Sequence, residues 1–193
     1  MVNQQDRRVR KTRKSIEDAL FSLMDEIPYQ KIRISQITDF ADISRSTFYH
    51  HYETKDDVLL RIVDEIIDEY FQAIDEVIHG GEKSPTKILF HKWGQNINRM
   101  RLILDAGLEY RIYQRLRDFN SRRTYRDETD NPLLNDYIRT MLDGACFALL
   151  LRWTKDNASV PAKHMIELFN GLNINALFQS MNEELSEFGE RNS

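Results

Sequence analysis

Three short amphipathic segments crowd into the first 52 residues, and none is long enough to be stable by itself. From Thr12 to Ile27, apolar side chains fall at Ile16, Ala19, Leu20, Leu23 and Ile27, the spacing of one helix face. Ser15 followed by Asp18 reads as a capping box, and Pro28 ends the stripe. A second helix is expected over Ser35 to Ala41, then a turn at Asp42-Ile43. Ser44 can cap a third, Arg45 to about Tyr52, with Phe48 and Tyr52 four residues apart on its inner side. Isolated helices of this size are marginal in water. They survive only by pooling Ile16, Leu20, Leu23, Ile37, Phe40, Ile43, Phe48 and Tyr52 into one core. Three helices with a tight turn before the last predict a helix-turn-helix.

The rest of the chain also reads as helix. Seven Gly and four Pro in 193 residues leave few places for the turns that many short strands would need. Thr54, with Asp57 three residues on, starts a long stripe through Val58, Ile62, Ile66, Tyr70, Phe71, Ile74 and Val77 that stops at Gly80-Gly81. Residues 86–104, 106–118, 133–156 and 162–181 follow as expected helices, with a polar loop from Asn120 to Asn131. The fold class is therefore all-α. Residues 1–54 are expected to form a helix-turn-helix domain preceded by a basic arm, residues 55–79 a connector helix, and residues 80–193 a helical ligand- or partner-sensing and dimerisation domain.

The helix expected over 133–156 is apolar on nearly every side, which demands burial on nearly every side, and the one after it carries a wide apolar face. Tyr137, Met141, Ala145 and Leu149 on one, with Met165, Phe169, Leu172 and Ala176 on the other, are candidates for packing against a second copy of the chain. The alternative is an ordinary intramolecular core.

Charge distribution says more than net charge. The first 14 residues hold six basic side chains (Arg7, Arg8, Arg10, Lys11, Arg13, Lys14) against Asp6, or +5; with a net of −4, the remainder carries −9. A basic arm on an acidic body suits phosphate, or else is a solvated terminus. The single Cys146 excludes an internal disulfide and fits a reducing cytosol. No apolar run reaches the roughly 18 residues of a membrane span, so a cytoplasmic location is expected. No zinc spacing, glycine-rich phosphate loop or nucleophile motif is present, so no catalytic residue, metal or cofactor is expected.

The run Ile37-Thr38-Asp39-Phe40-Ala41-Asp42-Ile43-Ser44-Arg45-Ser46-Thr47-Phe48-Tyr49-His50-His51-Tyr52-Glu53-Thr54-Lys55, followed by Asp57-Val58-Leu59, resembles the TetR/AcrR family of regulators. That family reads roughly I-A-x-x-A-G-V-S-x-x-T-x-Y-x-[HY]-F-x-x-K-x-x-L. The resemblance implies that Arg45, Ser46 and Thr47 face base edges and that Tyr49, His51 and Lys55 hold phosphates, with His50 on the groove side. Arg33, in place of the usual Thr cap, and Arg13 of the basic arm would add phosphate contacts. Asp42 departs from the usual turn Gly, but Asp tolerates a left-handed backbone. The implied function is a homodimeric regulator, by family default a repressor, on a palindromic operator of double-stranded DNA. It would be released by a small-molecule effector; activation or a protein partner are the alternatives. His91, Trp93, Tyr110 and Tyr113 could line an effector pocket, or could be core aromatics.

Overall fold

The computed structural model describes residues 4–78, 85–121 and 131–171. Among these there are nine α-helices, one 3-10 turn and no strand. α1 spans Gln4–Glu26, and a 3-10 turn at Tyr29–Lys31 follows Pro28. α2 is Ile34–Phe40, α3 is Arg45–His51, and α4 is Lys55–Ile78. α5 (Pro85–Gln95), α6 (Ile97–Asp105), α7 (Glu109–Ser121), α8 (Pro132–Lys155) and α9 (Ala162–Gly171) complete the chain. None of the described helices is long and apolar enough to cross a membrane.

α1 starts well before Thr12. Arg7, Arg8, Arg10 and Lys11 are exposed on its opening turns, and Ser15 is an interior helical residue, not a cap. Arg and Lys are good helix formers, so a stripe anchored at Ile16 can extend backwards at little cost. Ile16, Ala19, Leu20 and Leu23 are buried as their spacing predicts, together with Ile37, Phe48 and Tyr52. Phe40 is the exception, 59% exposed. Ile37, Thr38 and Ala41 take the inward positions of α2 and leave Phe40 at its rim.

The core does not stop at residue 54. Val58, Leu59, Leu60, Ile62 and Val63 are all buried in the cluster that holds the side chains of α1–α3. The opening of α4 thus shares its core with the N-terminal helices, and α1 packs against it. Thr54 starts it as expected: its backbone N–H and its hydroxyl both donate to Asp57 Oδ2 at 2.8 Å.

In the second half the expected helix over 86–104 is broken at Asn96, which leaves helical geometry (φ −109°, ψ 14°). Its side-chain amide donates to the Lys92 carbonyl at 3.0 Å, the local competition that makes Asn a poor interior residue. α8 matches its expected span within a residue, capped by Asn131 Oδ1 accepting from Leu133 and Leu134 N–H. Phe90, Trp93, Ile103, Ile112, Leu150 and Trp153 fill the core here. Trp93 Nε1 donates to the buried Thr154 hydroxyl at 2.7 Å, which donates in turn to the Leu150 carbonyl at 2.8 Å. Gly94 lies where a Cβ would come within 3.1 Å of Trp153 Cη2.

The dimerisation candidates divide. Leu133, Tyr137, Met141 and Ala145 are exposed along one side of α8, and Leu168 of α9 is 57% exposed. Met165 instead is buried in the chain's own core, with Leu149 and Phe169 partly buried against it. Periodicity marks an apolar face without saying what covers it. Leu172 and Ala176 lie outside the described residues. Cys146 is largely enclosed, and burial, with the nearby Asp143, pushes its thiol pKa up to about 12, as expected of an inert cysteine.

Candidate nucleic-acid interface

The turn before α3 sets the geometry of its exposed side. Asp42 adopts a left-handed backbone (φ 52°), and Ile43 N–H reaches back to the Thr38 carbonyl at 3.0 Å. Ser44 then caps α3, its Oγ accepting from Thr47 N–H at 3.0 Å. The same Oγ lies 2.8 Å from the hydroxyls of Ser46 and Thr47. Phe48 is completely buried and Tyr52 nearly so, which fixes the rotation of this two-turn helix. Arg45, Ser46, Tyr49 and His50 therefore stand exposed. Tyr49 is 56% exposed, braced edge-on against Phe48 with centroids 5.6 Å apart. Thr47 is half-buried, its hydroxyl engaged with Ser44.

The flanking residues differ more from expectation. Arg33 is exposed at the start of α2; its backbone N–H, not its side chain, makes the cap, donating to Gln36 Oε1 at 2.9 Å. Arg13 is half-buried on α1, close enough to His51 and Tyr52 to influence both, and its Nε is buried without a hydrogen-bond partner. His51 is half-buried, and desolvation, then the charges of His50 and Arg13, hold its pKa below the ordinary range.

Lys55 is turned inward. Its Nζ donates to the carbonyls of Tyr29 at 2.6 Å and Ile32 at 2.8 Å, and lies 4.3 Å from the centroid of the Tyr29 ring. Those carbonyls belong to the connection between α1 and α2. A cation at the start of α4, which opposes the helix dipole, here satisfies two backbone acceptors instead of meeting solvent.

The same corner holds contacts that sequence reading missed. Asp56 accepts from the buried Tyr29 hydroxyl on one oxygen and from Arg111 Nη1 of α7, at 2.9 Å, on the other. Arg111 Nη2 is 3.6 Å from Asp57, and two turns further along α4 Asp64 takes Arg115 Nη1 on both oxygens, at 2.8 and 2.7 Å. Arg99 of α6 lies 5.6 Å from the Phe21 ring of α1. Nothing local in the sequence marks partners 27, 51 or 55 residues apart.

The four aromatic pocket candidates are not brought together. Trp93 is a core residue with its donor satisfied, and His91 is exposed on α5. Tyr110 and Tyr113 share a groove along α7 with Arg111, Gln114, Arg115 and Arg117.

This arrangement of helices recurs in solved structures. It is similar to a TetR transcriptional regulator from Streptococcus agalactiae, at 23% identity over 86% of this chain and 94% of that one, with a TM-score of 0.51. It is also similar to the fatty acid degradation regulator FadR from Bacillus halodurans (16% identity, 84% and 94% coverage, TM-score 0.54). The chain has the TetR-family fold. A third TetR-family structure, the repressor FadR from Thermus thermophilus in complex with lauroyl-CoA, matches at 17% identity over 83% and 92% of the two chains, with a TM-score of 0.50. No sequence-family model and no curated protein matches the chain. In the TetR-like fold adopted here, α1–α3 form the helix-turn-helix and α5–α9 the helical body, with α4 packed against both.

Proposed function

We propose that the chain is a non-enzymatic, cytoplasmic transcriptional regulator that binds a palindromic operator as a homodimer and acts as a repressor. One observation carries this reading. On a TetR-like fold, α3 exposes Arg45, Ser46, Tyr49 and His50 while Phe48 locks its other side into the core. Residues at the start of such a helix reach base edges in the major groove, and flanking ones meet phosphates. Arg45 is suited to two hydrogen bonds with guanine, Ser46 to a single base contact, and Tyr49, His51 and Arg33 to the backbone, with His50 on the groove side. The exposed cations at the start of α1 would contribute to a steep salt dependence.

The exposed face of Tyr137, Met141, Ala145 and Leu168 is the surface we assign to the second copy. A two-fold dimer would set two α3 helices about one DNA turn, roughly 34 Å, apart. Selection of bound sequences from a random DNA pool tests the reading: a palindrome supports it, and an unenriched pool overturns it.

The effector is a finer question. One of the similar structures is a fatty acid degradation regulator and another holds lauroyl-CoA, so acyl-CoAs are the first molecules to test for operator release. A second reading, control by a protein partner or without a ligand, is favoured by the packing. Phe90, Trp93, Ile103, Ile112 and Trp153 pack the interior of the body with apolar side chains of the chain itself.

A further inference from the structure

Asp56 is a polar residue that meets both halves of the molecule. Its two oxygens serve opposite sides: Tyr29, between α1 and α2, and Arg111, on α7. Tyr29 is held again through its carbonyl by Lys55, the residue before Asp56. A continuous polar path thus runs from α7 through the first turn of α4 into the connection that precedes α2. Arg115 on Asp64 fixes the same two helices at a second point, so α7 cannot slide along α4 without breaking charged contacts.

We propose that Arg111 is a positioning residue for DNA binding: through Asp56 it holds the helix-turn-helix at one angle to the helical body. The inference rests on the DNA-binding reading above. In a two-fold dimer the body fixes the two-fold axis, so the angle of each helix-turn-helix to its own body fixes the distance between the two α3 helices. A residue controlling that angle acts on half-site spacing and not on base recognition. Arg111 lies on the body, and its guanidinium is engaged with Asp56 and Asp57. Both partners are partly exposed, with side chains 43% and 34% accessible, so the contact can be made and broken at modest cost. That suits a residue that selects between orientations better than one that holds the fold together.

The test uses the full-length dimer and its selected operator, alongside the same operator with one base pair inserted between half-sites. The affinity ratio of the two measures spacing discrimination. Arg111→Ala should lower that ratio about fivefold, the low end for coupling between sites. Asp56→Asn keeps an acceptor for Tyr29 while removing the charge, and should lower it similarly. The double variant should lose no more than either single one, and Arg111→Lys should recover part of the loss. The salt slope should not change, because Arg111 does not meet DNA. A lowered melting temperature with an unchanged ratio would mean a merely structural contact and overturn the proposal, as would additive losses in the double variant. If the wild-type protein enriches no sequence, the DNA-binding reading falls and takes this one with it. A wild type that selects an operator, with variants that still discriminate spacing, sinks this inference alone.

Discussion

Lys55 and Arg45 both carry charge near α3, yet their surroundings assign them different work. Lys55 donates to two backbone carbonyls, so Lys55→Ala should lower the melting temperature and leave the salt dependence of DNA binding unchanged. A salt slope flattened by about one unit would show instead that Lys55 swings out to a phosphate. Arg45→Ala, removing an exposed side chain, should leave stability alone and cost about 1–3 kcal/mol at one base position. His51 adds a pH effect of definite sign. Its folded pKa lies below the ordinary value of about 6.5, chiefly through burial. The unfolded chain then takes up the proton first, so stability is full above that value and falls as pH drops through the folded pKa. Melting curves across this window should show the acid limb flattened in His51→Gln; an unchanged limb would assign it to other groups. Arg45 and His51 entered as candidates through the resemblance of the α2–α3 run; of the two, Arg45 is exposed and His51 half-buried. Sequence alone could not orient Lys55, whose partners are 26 and 23 positions away.

Among elements, the turn from α2 to α3 is the most demanding. Asp42 sits at φ 52°, where most L-residues pay roughly 1–2 kcal/mol. Asp42→Val should therefore cost about that much in thermal or urea unfolding, whereas Asp42→Gly should be neutral or slightly stabilising. Equal effects from the two would mean that the backbone relaxes out of this conformation. This turn was legible because its chemistry is local, as were the caps at Ser44 and Thr54: each depends on residues three apart. The start of α1 and the break at Asn96 were not. Good helix formers let α1 run past its apolar stripe, and Asn96 breaks a helix with a hydrogen bond equally available to many interior asparagines.

For the whole molecule, what the sequence left open was which apolar faces a single chain covers. Met165 and Tyr137 have the same apolar spacing, yet one is buried at 7% exposure and the other stands 66% exposed. Only the packing of α9 against α5 separates them. Tyr137→Glu or Met141→Glu should yield a folded monomer in sedimentation velocity, with DNA affinity reduced by orders of magnitude. A dimer that survives either change would mean that copies associate elsewhere. The Arg111–Asp56 contact belongs to this scale too, since only the completed fold brings α7 to the start of α4.

The core shared by the first turns of α4 and the N-terminal helices bears on how this chain could be taken apart. With Val58, Leu59 and Leu60 consecutive and fully buried, a reading head cut at residue 54 would lose part of its own interior. A chimera that grafts the proposed specificity onto another chain of this fold must carry the opening of α4 across the seam, and with it the Asp56 that meets the body. Portability of the head is thus limited by its shaft: a foreign body lacking a basic partner opposite Asp56 would inherit the base preference without the half-site spacing.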